Sequence, residues 1–258
     1  MSFTLSNLEM LLFIAARVTG FIFTAPLFSV KNVPQRAKVL FSVAVSIIVY
    51  ITLKDNYIEY NGIIEYTVIL IKEVLCGMTL GLFCHIAYYI ITMAGQMIDT
   101  EVGFSSAQEF DPSTNIQTTI SSTFFGYAVM LMLIVTNMHL YIIKAVIDSF
   151  KIVPVGTVSI SGNIFNVMLG FIRDYMIIAF RIILPIFAAM LVVNTILAIL
   201  AKAAPQMNMF VIGFQLKIFI GLTILMIMMM FLPSISDLIF NKMIEYMKEA
   251  IYYMGGGS

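Results

Sequence analysis

Charges lodged in apolar sequence are the first residues here whose types and spacing could do chemistry. Arg17, the adjacent Lys72 and Glu73, Arg173 with Asp174 and Arg181, then Lys202 and Lys217 all fall inside long hydrophobic runs. Near the centre of a membrane helix each charge costs roughly 2.5 to 3.5 kcal/mol, against about 0.3 to 0.6 kcal/mol returned by a large apolar residue. The three charges from Arg173 to Arg181 therefore cost roughly 8 to 10 kcal/mol, about what twenty good apolar residues return. A lone lipid-facing span there is marginal. Such groups are expected to be buried against protein in an oligomer or to sit outside the hydrocarbon. The rival reading is an ion or substrate path through the bilayer.

A second chemical feature is the polar island GQMIDTEVGFSSAQEFDPSTN, Gly95 to Asn115, flanked on both sides by apolar sequence. Irregular backbone at membrane depth is tolerated only where protein buries it or water lines it, because lipid cannot satisfy N–H and C=O groups. Gly103 can supply the left-handed residue that ends a helix. Asp111 followed by Pro112 reads as an N-cap with proline in the first helical position. The loop proper is thus expected from Gly103 to Asp111, with Phe104 and Phe110 among Ser105, Ser106, Gln108 and Glu109. Large rings on a polar loop can close a channel by dewetting. They can equally anchor the loop onto neighbouring helices.

Catalytic chemistry finds little support. His85 and His139 are isolated in apolar sequence, and neither HExxH, CxxC nor a carboxylate cluster accompanies them. Asp99 and Asp111 lack the surroundings of an intramembrane protease pair, and GxSxG and a phosphate-binding glycine loop are missing. Cys76 and Cys84, eight apart on one predicted helix, lie about 12 Å apart along its axis, beyond the roughly 7 Å reach of a disulfide. No enzyme activity, metal or cofactor is expected.

These residues need a scaffold, and composition says which kind. With 61% hydrophobic and 11% charged residues among 258, and a mean hydropathy of +1.01, the chain carries more apolar surface than a soluble domain uses. The class is an all-α membrane protein with about six long apolar segments and broken helices. The expected segments are Leu8 to Val30, weakened near Pro26; Ala37 to Leu53; Ile63 to Met93; Pro112 to Phe150, bent near Thr136 to His139; Asn163 to Lys202, kinked at Pro185; and Gly213 to Leu232, ended by Pro233. The tail from Ser234 is an amphipathic helix expected at an interface or on a partner.

The N-terminus reads as an uncleaved first helix. Residues 1–254 form one integral membrane domain, and 255–258 a flexible Gly/Ser tail. Lys31, Arg36 and Lys38 place the first link in the cytoplasm by the positive-inside rule. Zero formal net charge without a basic block argues against nucleic acid as a partner. Gly77 and Gly81 form a small-xxx-small pair that lets a partner backbone approach, and the Met-rich run Leu225 to Phe231 is an adaptable packing surface.

The order of several motifs is distinctive: Arg17 with Ala25-Pro26, Pro34, Gly77 and Gly81, and Gly95 through Asp99 leading to Gly103-Phe104-Ser105. Asp111-Pro112, His139-Leu140, Ser149-Phe150 and Pro154-Val155-Gly156 follow. Last comes the AAPQMNMFVIGF block, with Pro205, Gln206, Met207, Asn208 and Gly213. Taken together they resemble the FliR family of flagellar biosynthesis proteins, called SctT in virulence type III secretion systems, over nearly the whole chain.

The resemblance implies a FliP-like part joined to a FliQ-like hairpin, in one subunit of a helical hetero-oligomeric export gate in the bacterial inner membrane at the flagellar basal body. Its implied partners are several FliP-like and FliQ-like subunits, an FlhB-like protein around the entrance, an FlhA-like protein beneath, membrane lipid, and unfolded export substrates in transit. On the matching positions the loop from Gly103 to Asp111, closed by Pro112, would project into the pore with Phe104 and Phe110 holding it shut. Arg17, Lys72, Glu73, Arg173, Asp174 and Arg181 would pack on sister subunits. The alternative from the residues alone is a stand-alone secondary transporter with broken helices, although no inverted repeat is visible.

Overall fold

The computed structural model describes residues 5–29, 33–53, 60, 62–104, 109–111, 116–160 and 162–256. Nine helices are described: α1 (Leu5–Thr24), α2 (Pro26–Ser29), α3 (Gln35–Thr52), α4 (Gly62–Val102), α5 (Ile120–Val135), α6 (Met138–Ile152), α7 (Gly162–Ala203), α8 (Met209–Met228) and α9 (Leu232–Met254). One antiparallel pair of three-residue strands, β1 (Glu109–Asp111) and β2 (Ile116–Thr118), interrupts them. Five helical stretches are long and apolar enough to cross a membrane, or six if α5 and α6 count as one broken span. The chain is thus an all-α, multi-pass membrane protein.

Local chemistry sets the breaks. Pro26 lacks an N–H and its ring obstructs the preceding turn, so α1 stops at Thr24 and proline opens α2 instead. Asn137, with φ 57°, takes the left-handed conformation between α5 and α6, inside the stretch where a bend is expected. α7 continues through Pro185.

Three expectations about these elements are corrected. α4 runs past Met93 to Val102, so the start of the polar island is helical, while Gly103 (φ 99°) ends the helix as expected, donating its N–H to the Asp99 carbonyl at 3.0 Å. Asp111 is not an N-cap: it pairs with Ile116 in the hairpin, and helix resumes at Ile120 behind Thr119. Pro233 does not end a helix either. It occupies the second position of α9, where a missing N–H costs nothing, and a 3₁₀ turn at Met229–Phe231 leads into it.

The described residues divide into two compact units, and α4, α7 and α9 contribute to both. The first comprises residues up to 87, 137–173 and those from 240 on; the second comprises 88–136 and 174–239. In the first, α3 packs along α1, and the core holds Phe13, Phe21, Leu80, Phe83, Phe150 and Phe171. The tail helix belongs to this core. Phe240, Met243, Met247, Ala250, Ile251 and Met254 recur at helical spacing and are all buried. Tyr246 meets Phe171 with centroids 4.8 Å apart, and the Ser159 N–H donates to the Met254 carbonyl. The apolar stripe of α9 is therefore satisfied within the chain rather than by an interface or partner, because burying it here returns more than leaving it at a surface. In the second unit Ile90, Ile98, Val102, Ile186 and Met190 form the core.

Candidate functional site

Two polar clusters are built into apolar surroundings, one in each unit. In the first unit Gly77 sits so close to α1 that a Cβ on it would lie 1.9 Å from the Arg17 carbonyl oxygen, and one on Gly20 would lie 2.6 Å from that of Val74. Gly81 meets Thr24 and Phe21 in the same way. The backbone that Gly77 and Gly81 admit is thus the chain's own α1. Glycine on both sides lets α1 and α4 touch without side chains between them.

That approach brings Arg17 to Glu73, one helical turn before Gly77. The guanidinium Nε donates to Glu73 Oε2 at 2.6 Å, and both side chains are fully buried. Nη1 donates to the Val153 carbonyl at 3.0 Å and to Ser149 Oγ at 3.3 Å, and the guanidinium carbon lies 4.1 Å from the centre of the Phe150 ring. Glu73 Oε1 accepts the Gly156 N–H at 2.9 Å; Gly156 takes φ 87° in a turn that a side chain would strain. The pair thereby fixes the connection after α6 as well as α1 on α4. Glu73 is matched with Arg17, 56 residues away, and not with its neighbour Lys72, since consecutive helical residues point in different directions.

In the second unit the polar connection is tied at its base. α4 and α5 pack with Gly95 against Ser122, where a Cβ would lie 2.4 Å from the Ser122 Cα. Asp99, on the same face one turn further on, is fully buried and accepts both the backbone N–H of Ser121, at 2.8 Å, and the Ser121 hydroxyl. Ser121 is the second residue of α5, whose N-cap Thr119 makes no capping bond. Asp99 thus serves as the missing cap from another helix, its carboxylate at the positive end of the α5 dipole. The stretch from Gly103 to Thr119 leaves and returns at this clamp.

Phe104 is half-buried beside Gly103. For Glu109, Phe110 and Asp111 the backbone alone is described, and Ser105, Ser106, Gln108 and Pro112 lie outside the described residues. Arg173 and Arg181 are exposed on α7, while Asp174 and Lys72 are half-buried. The polar block falls in the α7–α8 turn. Pro205, Gln206, Met207 and Asn208 are exposed there, and Gly213 is buried, with a Cβ position 3.1 Å from Leu197 Cδ1.

Sequence reasoning missed the partners of Arg17 and Asp99. For Asp99 the sequence offers only the spacing of Gly95 and Asp99, four apart on one helix face; Thr119 looks like an ordinary cap, and only the structure shows that its side chain makes no capping bond. For Arg17 no local signal existed, because its partners come from two distant stretches, Glu73 and the run from Ser149 to Val153.

The model of the bacterial export proteins, family 1, matches residues 8–243. The chain belongs to this family. Among its relatives it is similar to the flagellar biosynthetic protein FliR of Buchnera aphidicola subsp. Schizaphis graminum, with 30% identity over 237 residues, 92% of this chain and 90% of that one. The FliR proteins of Bacillus subtilis and Escherichia coli K12 are 29% and 24% identical, covering 95% and 91% of this chain and 95% and 90% of theirs. Family membership spans both polar clusters, so Arg17–Glu73 and Asp99–Ser121 belong to the matched region.

Proposed function

We propose that this chain is a component of the flagellar export apparatus, and more specifically a structural and gating subunit of the type III export gate at the basal body in the bacterial inner membrane. It assembles with FliP-like and FliQ-like subunits and with FlhB-like and FlhA-like proteins, and unfolded export substrates pass the pore it helps to form. It acts without catalysis or a cofactor. One observation carries the gating role: the Asp99 clamp holds the two stems of the Gly103–Thr119 connection together between long apolar helices, so a polar loop is presented from a fixed base. Phe104 and Phe110 on that loop close the passage.

The test is ion leakage through the assembled complex. The double variant Phe104→Ala, Phe110→Ala should assemble normally and raise conductance to small solutes. Unchanged conductance in a correctly assembled complex rejects the gate role of these rings. The exposed Arg173 and Arg181, with Asp174 and Lys72, serve assembly: neutralising them should lower co-purification of the FliP-like and FliQ-like subunits, and full recovery counts against it.

A further inference from the structure

In the second unit α7 carries a groove on each of two opposite sides, and each groove holds one charged residue. On one side Met97 and Thr100 of α4 face Phe180, Ile183 and Phe187 of α7 across about 270 Å³, and Glu101 is the one charged side chain on the lining. On the other, Arg181 lines a groove with Ile178, Ile182 and Pro185. At about 100° per residue the two sets of α7 positions point roughly 160° apart, so Arg181 is turned away from Glu101. Within 178–187, the stretch that walls both grooves, Arg181 is the only charge, so this part of α7 offers Glu101 no cation. Thr100 does not serve it either, since its hydroxyl donates to the Gln96 carbonyl at 2.9 Å. Among the described residues no cation is paired with Glu101. Phe180, Leu184, Phe187 and Leu191 stand exposed along this side of α7, spaced four, three and four residues apart. That alternation is the seam along which two helices pack side by side.

We infer that this groove receives a helix of a partner subunit that brings a lysine or arginine to Glu101. The inference rests on the assembly proposed above and adds the residue that meets one neighbour and the charge that neighbour must carry. Covering the apolar seam removes Glu101 from water, and a buried carboxylate without a counter-charge opposes the contact. A cover of hydrocarbon or of uncharged helix therefore fails here, and an anionic headgroup is repelled. A cation at the matching height turns the same burial into a register mark, because sliding the helix by one turn strands both charges. Glu101 belongs to the last turn of α4, two residues before Gly103 opens the polar connection, and Asp99 in the same turn holds α5. The two carboxylates point about 200° apart around α4, so the docked neighbour and the clamp grip one turn of helix from opposite sides.

The experiment uses the full chain in its complex. A photoreactive residue in place of Leu184 is crosslinked in membranes, and the linked peptide is mapped by mass spectrometry. The expected peptide is a helix of a co-purifying subunit with a lysine or arginine within about one turn of the linked position. Glu101→Gln should lower recovery of that subunit about tenfold or more, by leaving the neighbour's cation buried and unpaired. Glu101→Lys should lower it further, and changing the mapped cation to glutamate in the Glu101→Lys chain should restore it.

A linked helix without a cation near the contact, a link to lipid alone or to a second copy of this chain, wild-type recovery in Glu101→Gln, or a charge swap that restores nothing overturns the site. Wild-type recovery in Glu101→Gln, together with loss of the neighbours when Arg173, Asp174 and Arg181 are neutralised, overturns the site and leaves the assembly standing. A wild-type chain that co-purifies with no partner overturns both.

Discussion

Gly77→Ala adds one methyl group at the closest approach of α1 and α4. Its Cβ would lie 1.9 Å from the Arg17 carbonyl oxygen, 2.8 Å from the carbonyl carbon and 2.9 Å from the Phe21 nitrogen, all backbone atoms that cannot rotate away. Ordinary contact begins near 3.4 Å, so the helices must separate by roughly 1.5 Å. Glu73 is one turn from Gly77, and its bond to Arg17 is 2.6 Å long; the same separation takes that pair out of hydrogen-bond range. Overpacking costs about 1–3 kcal/mol, and a buried ion pair pulled apart costs about 3–5 kcal/mol. Against a total stability of about 5–15 kcal/mol for a typical domain, the variant should fail to accumulate or unfold far earlier. The assay is thermal unfolding in detergent, with the yield of assembled complex alongside. Gly213→Ala is the control, because its Cβ meets only the end of Leu197 at 3.1 Å and should cost about 1 kcal/mol or less. A Gly77→Ala protein as stable as that control refutes the close-packed reading.

Other outcomes follow from the two clusters. Glu73→Gln or Arg17→Met alone should each cost about 3–5 kcal/mol by stranding a buried charge, while the double variant should cost less than their sum by about 0.5–3 kcal/mol in an unfolding cycle; strict additivity rejects direct pairing. Asp99→Ala should cost about 1–3 kcal/mol, because it strands the Ser121 N–H. It should also speed protease cleavage between residues 103 and 119 more than cleavage elsewhere, and uniform cleavage argues against the clamp.

The helices themselves were legible in the sequence because long apolar runs and Pro26 or Gly103 mark their extents by local chemistry. Asp111-Pro112 misled because an N-cap motif carries the same residues as a turn, and hairpin pairing with Ile116 won over local propensity. The α9 stripe is legible as amphipathic in the sequence, yet periodicity says that a face is buried and not by what. Phe171 and Met254 supply the answer from within the chain. The intramembrane charges divide in the same way. Their cost is visible in one dimension, but the pairing of Arg17 with Glu73 depends on a glycine contact between helices 56 residues apart.

That division has a physical consequence for assembly. The chain neutralises its deepest ionisable groups itself: Arg17 and Glu73 are fully buried on each other, and Asp99 is buried on a helix N-terminus. Its apolar outer surface is left uncovered, with Phe210 84%, Met230 81%, Met226 74% and Phe219 71% exposed along α8 and the turn after it. A surface of that kind is covered by lipid or by another subunit's helices, and neither demands charge pairing at these positions. Cover over these four residues is set by shape, with adaptable methionines taking up mismatch. If the charged stretch of α7 from Arg173 to Arg181 meets a partner subunit, as proposed, raised salt should weaken that contact and leave the α8 face unaffected.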